Sequence, residues 1–274
     1  GIMNRILFKE QLAAEVFRMR LEAPLIAGNR KPGQFVILQQ DGEFGERIPL
    51  TIADANAAEG SITVIFQTVG QGTQRLAQLE VGDCIANVVG PLGRPTEIDQ
   101  FGFVVCVGGG IGVAPLYPIV QGMKDAGNRV AVIVGARTRS LLILSEELRA
   151  IADELRVCTD DGSEGRKGLV TGILEELCVS KPKPDLVVAI GPTPMMKFCA
   201  ATTKPHGIRT LVSLNTIMVD GTGMCGGCRV TVGGQVRFVC VDGPEFDGHQ
   251  VDFESMARRM TTYREIEASA RQQC

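Results

Sequence analysis

Up to about residue 98, apolar and polar positions alternate in short bursts broken by glycine, proline and acidic turns. Alternation with a period of two makes half-buried strands, and it predicts strands at Asn4–Gln11, Ala14–Leu21, Gln34–Gln39, Ile48–Asp54, Ser61–Thr68 and Cys84–Val89. Short strands at that spacing predict a small antiparallel barrel. From Gly102 the pattern changes to continuous apolar runs separated by helical periodicity. Strands are expected at Phe103–Gly108, Arg129–Gly135, Leu155–Asp160 and Leu186–Gly191, with helices at Ala114–Ala126, Leu144–Glu154 and Val170–Leu177 between them. Strand and helix in alternation predict a doubly wound parallel sheet. Beyond about Leu211 comes a glycine-rich stretch, and then Val230–Val241, read as a hairpin turned at Gly233-Gly234.

A last helix, Asp252 to Gln272, puts Phe253, Met256, Met260, Tyr263 and Ile266 on one face, with Arg258, Arg259, Arg264 and Glu267 elsewhere. Such a stripe serves either as core or as a docking face. The pattern thus divides the chain into a barrel over 1–98, an α/β domain over 99–211 and a C-terminal segment over 212–274. No internal repeat is visible.

With 45% hydrophobic residues and 33 glycines in 274 residues, the chain has enough apolar material for packed cores joined by tight turns. A net charge of −3 offers no electrostatic footprint for nucleic acid, and no apolar run reaches the length of a membrane span. The first residues lack a signal-peptide core, so a cytoplasmic location is expected. Nine cysteines, an odd number, fall into one cluster plus singles in apolar contexts, which fits reduced thiols better than disulfides.

The cluster is the most specific signal. Asp220-Gly-Thr-Gly-Met-Cys225-Gly-Gly-Cys228, followed by Cys240, has the spacing of a plant-type iron–sulfur ligand set with aspartate in the first cysteine's place. Three readings stand: a [2Fe–2S] centre on Asp220, Cys225, Cys228 and Cys240, a zinc knuckle, or cysteines that only pack. An aspartate ligand would keep the charge that a thiolate brings.

Three further constellations follow one another. Arg47-Ile48-Pro49-Leu50-Thr51 joins two barrel strands, and Gly70-Gln71-Gly72-Thr73 opens a short helix. A fixed charge and a glycine-flanked helix N-terminus are what a dinucleotide pyrophosphate requires. Val107-Gly108-Gly109-Gly110-Ile111-Gly112-Val113-Ala114-Pro115 follows an apolar strand and opens a helix, where nicotinamide-dinucleotide phosphates would sit. It departs from the Rossmann fingerprint: Val113 takes the third glycine's place, and the next strand ends in Gly135-Ala136-Arg137, not in an acidic residue. By the general rule Arg137 would suit a 2′-phosphate. Ile190-Gly191-Pro192-Thr193-Pro194-Met195-Met196 is expected to close the last strand of the sheet, where ligands gather in open α/β folds.

In this order the motifs resemble the ferredoxin–NADP reductase superfamily, and within it the branch with a C-terminal [2Fe–2S] segment. That branch holds the electron-transfer subunits of dihydroorotate dehydrogenase and the small subunits of NADH-dependent reduced ferredoxin:NADP oxidoreductase, also called sulfide dehydrogenase. The former have cysteine where Asp220 stands and the latter aspartate, so the resemblance favours the latter. It implies that Arg47 contacts the FAD phosphates, that Pro49, Leu50 and Thr51 line the isoalloxazine, and that Gly70, Gly72 and Thr73 cradle the pyrophosphate. Gly108, Gly109, Gly110 and Gly112 would hold NAD(H), with Gly191, Pro192 and Met195 near its reactive end. No side-chain acid or base is then needed at the nicotinamide, and His206 and His249 are expected at the surface. The resemblance also implies a larger catalytic subunit with its own flavin, iron–sulfur clusters and NADP site, and electron bifurcation to ferredoxin. A zinc-stabilised binding module without catalysis is the alternative of another class.

Overall fold

A computed structural model describes residues 3–42, 45–214 and 229–272, with the side chains of the last helix described to Thr261 and at Ser269. The first ninety-odd positions form β1 (Ile6–Ala13), β2 (Val16–Glu22), α1 (Pro24–Asn29), β3 (Phe35–Gln39), β4 (Arg47–Asn56), β5 (Ser61–Gln67), α2 (Gln71–Gln78) and β6 (Asn87–Leu92). The strands lie in the order β1-β2-β5-β4-β3-β6, all antiparallel. The two ends of this sheet meet. Ile6 N–H donates to the Asp83 carbonyl and Gly82 N–H to the Ile6 carbonyl, each at 2.8 Å, and Arg5 bridges to Cys84. Closure removes the open edges and makes the expected barrel. Its interior is the inward half of the alternation: Ile6, Met19, Leu21, Val36, Leu38, Ile48, Ile52, Ile62, Val64 and Phe66, with Leu76 of α2 among them. The outward half of β4, Arg47, Pro49 and Thr51, stands opposite Gln39, Ile37 and Phe35 of β3.

The second sheet contains β7 (Phe103–Gly109), β8 (Arg129–Ala136), β9 (Glu154–Thr159), β10 (Arg166–Lys167), β11 (Leu186–Ile190) and β12 (Arg209–Ser213), in parallel and in the order β10-β9-β8-β7-β11-β12. Every residue of β7 and β11 is buried, as a parallel sheet covered on both faces requires. One face carries α3 (Val113–Asp125) and α4 (Ser145–Ile151); the other carries α5 (Val170–Val179) and α6 (Thr193–Thr203). The chain lays strands outward from β7 in one direction as far as β10, then returns to place β11 and β12 on its other side. The switch point falls between β7 and β11.

A linker, residues 93–102, joins the sheets. Asn128 clamps its end. The Asn128 carboxamide oxygen accepts from the Phe101 and Gly102 amides at 2.7 and 3.0 Å, and its NH2 donates to the Asp99 and Met123 carbonyls at 2.7 and 3.0 Å.

The C-terminal segment forms β13 (Arg229–Val232) and β14 (Gln235–Phe238), turned at Gly233 and Gly234 with φ of 58° and 78°, as the hairpin reading expects. The hairpin ends sooner than expected. The Asp242 carboxylate accepts the Phe238 amide at 2.7 Å, and the chain turns into the short helix α7 (Val239–Asp242). Next, β15 (Glu245–Asp247) pairs antiparallel with β12 and makes the segment the seventh strand of the parallel sheet. The last helix, α8 (Phe253–Gln272), buries Phe253 and Met256, while Met260 packs against the same core. The first part of its apolar stripe is therefore core; Tyr263 and Ile266 lie outside the described side chains.

Two expectations need correction. The strand before Gly191 is not the last of its sheet, because Arg209–Ser213 adds β12 beyond it; a five-residue run carrying arginine, threonine and serine leaves little periodic signal. The helix expected over Leu144–Glu154 is shorter, Ser145–Ile151. Leu144 adopts φ 59° before it, and Glu154 already begins β9. Among the described residues no helix is long and apolar enough to cross a membrane.

Candidate functional site: a dinucleotide crevice and a cysteine-lined cavity

Parallel pairing of β7 with β11 sets Gly108 opposite Ile190, so the two glycine-containing motifs leave the sheet side by side. Gly109 and Gly191 are both buried, and their backbones touch. A side chain on Gly191 would start 3.2 Å from the Gly109 nitrogen and 2.8 Å from the sulfur of Met195. A side chain there would need Met195 to move and the Gly109 backbone to give by a few tenths of an ångström. Gly112 is likewise pressed against Ile190 and Gly191, whereas Gly110 and Pro192 are exposed on the open side. The helices α3 and α6 begin here, at Val113 and Thr193. Two positive helix ends and a floor of bare backbone form an anion-accepting crevice at the switch point, where open α/β sheets bind ligands. The structure thus brings Gly108, Gly109, Gly110, Gly112, Gly191, Pro192 and Met195 together.

Along the same sheet edge, Arg137 has an acidic neighbour that the sequence pattern did not indicate. The Asp160 and Asp161 amides donate to the Ala136 and Arg137 carbonyls at 3.1 and 3.2 Å. Hydrogen bonds from Ser163 and Thr138 hold the exposed Asp161 carboxyl down at about 2. The end of β9 thus places two acidic residues beside Arg137 at the end of β8. A turn formed through tertiary pairing gives no spacing signal.

On the barrel, Arg47, Pro49 and Thr51 share one outer face, while Leu50 packs against the barrel interior and offers that face only its backbone. At the start of α2 the Thr73 hydroxyl accepts the Gly70 amide at 3.1 Å, and Gly72 is buried beneath the Glu46 carboxylate. The Glu46 carboxylate thus occupies this helix N-terminus, one residue from Arg47, showing that the position accepts an anion; a phosphate would take its place only if Glu46 swung aside.

Of the four cluster positions, Asp220, Cys225 and Cys228 lie outside the described residues. Cys240 sits on α7, buried, and lines a cavity of about 470 Å3 with Ile37, Val89, Leu92, Gly93, Arg94 and Val241. Ile37 is the strand partner of Pro49. The outer barrel face and the cysteine are therefore walls of one apolar space. Among the other described cysteines only Cys178 and Cys199 are neighbours, inside one apolar core. Burial pushes the thiols of Cys106 and Cys158 up, that of Cys178 to about 11 and that of Cys199 to about 12, so they stay neutral and inert. His206 pairs with Glu175 at 3.0 Å and His249 meets the Thr203 hydroxyl at 2.9 Å. Both are half-buried, not freely exposed, and both are tied up away from the crevice.

The iron–sulfur cluster binding domain of dihydroorotate dehydrogenase B matches residues 215–252, a span that contains Asp220, Cys225, Cys228 and Cys240. An oxidoreductase NAD-binding domain matches residues 106–201. A chain from the NADH-dependent reduced ferredoxin-NADP oxidoreductase structure, described for flavin-based electron bifurcation, superposes with a TM-score of 0.90. It is 46% identical and covers 100% of this chain and 98% of its own. The Amycolatopsis cytochrome P450 reductase GcoB shares the fold at a TM-score of 0.61 and 22% identity, over 75% of this chain and 66% of its own. A protein of Clostridium beijerinckii, described only as uncharacterized, is 50% identical over 98% of this chain and 93% of its own. A dihydroorotate dehydrogenase B (NAD(+)) electron transfer subunit homolog of Thermotoga maritima is 48% identical over 97% of this chain and 93% of its own. With crevice, barrel and cysteine segment all inside that alignment, the chain belongs to the family of dihydroorotate dehydrogenase B-type electron-transfer subunits.

Proposed function

We propose that this chain is the flavoprotein electron-transfer subunit of an NADH-dependent ferredoxin:NADP oxidoreductase, passing electrons between NADH and a larger catalytic subunit through FAD and a [2Fe–2S] cluster. The observation that carries this reading is the shared cavity: Cys240 faces the outer wall of the barrel at Ile37, beside the Pro49 face. FAD exchanges a hydride with nicotinamide and single electrons with an iron–sulfur centre, so it belongs between the two. The chain's part is binding and orientation. Arg47 and the start of α2 hold the flavin phosphates; Pro49, Thr51 and the Leu50 backbone flank its ring. The glycines of β7 and β11, with α3 and α6, hold NAD(H), and Asp160 and Asp161 oppose a 2′-phosphate beside Arg137. Asp220, Cys225, Cys228 and Cys240 hold the cluster.

Membership in a family of electron-transfer subunits implies a catalytic partner. Aspartate at position 220 and the match over 100% of this chain to the bifurcating oxidoreductase favour a partner with an NADP site and delivery to ferredoxin. The name of the Thermotoga relative keeps a second reading in view, the electron-transfer subunit of a dihydroorotate dehydrogenase. Purification of the native complex decides between them. The first reading expects a yellow-brown heterodimer that reduces NADP with NADH and reduced ferredoxin and leaves dihydroorotate untouched. A complex that oxidises dihydroorotate gives the second, and a colourless zinc protein overturns both.

A further inference from the structure

Glu245 begins β15, beside Ser213 of β12, at the place where the linker, the parallel sheet and the C-terminal segment meet. The residue is half-buried, but its carboxyl lies deep among protein atoms, and this burial pushes it up to about 7 against the opposing effect of one hydrogen bond. That bond comes from the Thr96 hydroxyl in the linker, at 2.8 Å. Among the described residues no ion pair reaches Glu245. The titratable side chain that senses it is the buried thiol of Cys106 on β7. Glu97, next along the linker, turns away to Arg209 at 2.6 Å.

Two cavities are reached from Glu245 through its neighbours, although Glu245 itself lines neither. On one side Thr96 lines a cavity of about 580 Å3 between the barrel and α3, whose polar rim includes Arg30, Lys31, Gln121 and Asp125. Arg30 is held there by Asp54 at 3.5 Å. The Thr96 hydroxyl lies against Gly33, where any side chain would displace it. On the other side, the Arg94 amide donates to the Gly243 carbonyl at 2.9 Å, and Gly93 packs on Phe35 and Pro244. Gly93 and Arg94 also line the cavity of Cys240. The Glu245 carboxyl is therefore linked to the polar cavity by the Thr96 hydroxyl and to the cysteine cavity by the Gly243-Pro244 turn that packs on Gly93 and Arg94.

We propose that Glu245 is a redox-linked proton site, protonated when the neighbouring centre is reduced and reached from solvent through the Thr96 hydroxyl and the cavity between the barrel and α3. The balance is one proton for one electron: a bound cluster would hold a single electron, the other electron of the NADH hydride staying on the bound flavin until the first is passed on, and the Glu245 carboxylate would take one proton from solvent; oxidation of the cluster would return both. This inference rests on the function proposed above. A buried negative charge added nearby raises the cost of keeping the carboxylate ionised, which is the physical basis of the coupling.

The test compares the cofactor-loaded protein with Glu245→Gln and Thr96→Val. Infrared titration of the flavin- and cluster-free protein should show a carboxyl group protonating near pH 7 that Glu245→Gln lacks. The cluster midpoint, followed by EPR, should be level below about pH 7. Above it the midpoint should fall by up to tenfold in equilibrium per pH unit, about 59 mV for one electron. In Glu245→Gln the midpoint should stay level throughout. Thr96→Val should slow proton uptake after rapid reduction at least tenfold. A loaded Glu245→Gln protein with the wild-type pH dependence, or with the titrating carboxyl still present, overturns the inference alone. Unchanged uptake in Thr96→Val overturns the route. A chain that binds neither flavin nor cluster overturns the proposed function, and this inference with it.

Discussion

Gly109 and Gly191 meet across the switch point so closely that a methyl group on Gly191 would start 3.2 Å from the Gly109 nitrogen and 2.8 Å from the Met195 sulfur. Met195 can move aside, but the Gly109 backbone must also give by a few tenths of an ångström, which shifts the floor of the crevice. Gly191→Ala should therefore weaken NADH binding at least about tenfold, or 1.4 kcal/mol, as read by fluorescence titration. Flavin content should be unchanged, since β4 and α2 lie on the barrel.

Arg47→Ala removes a fixed charge from the proposed flavin seat. A charged hydrogen bond there is worth about 1.5–3 kcal/mol, so FAD affinity should fall roughly ten- to a hundredfold. Flavin retained at wild-type levels after dialysis would remove Arg47 from the site.

Asp161 should favour NADH by opposing a 2′-phosphate. Its carboxyl titrates near 2 and is charged across the working range, so the preference for NADH over NADPH should be constant from pH 5 to 9. The folded value is depressed, so any stability it lends is present above the usual carboxylate range and lost only as pH falls toward 2. Asp161→Ser should raise the NADPH rate relative to NADH by removing the negative charge beside Arg137; steady-state kinetics with both coenzymes measures it.

Asp220→Ala should lose or destabilise the cluster while leaving flavin and NADH-driven dye reduction in place. Asp220→Cys keeps the formal charge and should assemble a [2Fe–2S] centre with a different EPR signal and potential. Iron content and the EPR of the dithionite-reduced forms provide the comparison.

Asn128→Ala would strand the Phe101 and Gly102 amides and the Asp99 carbonyl, while the Met123 carbonyl keeps the backbone amide of residue 128, at a cost of about 3 kcal/mol. Urea unfolding should show the loss in midpoint at constant slope.

The barrel and the parallel sheet were legible because their signals are local: alternation in β2 and β4, and unbroken apolar runs in β7 and β11. The glycine motifs were legible for the same reason, since their spacing is set by one turn and one helix start. What escaped depends on contacts between distant segments. Strand β15 is three residues long and exists only because β12 offers an edge. Asp160 and Asp161 reach Arg137 through strand order, and Glu245 meets Thr96 across 149 positions. Which of Pro49, Leu50 and Thr51 shares the outer barrel face also escaped, because a motif names residues in sequence while a strand presents every second one to a face, and Leu50 packs inward.

The antiparallel pairing of β15 with β12 also governs what happens if the C-terminal segment is cut away. Without Glu245–Asp247, the backbone of Leu211, Val212 and Ser213 would lose its partner and become a bare, largely apolar border, the kind of surface through which chains stack on one another. A version shortened before β13 would then be a poor stand-alone diaphorase, aggregating through β12 although its nucleotide crevice is intact. The iron–sulfur segment is in this sense a cover as well as a conductor, which makes it hard to discard without replacing the strand it provides.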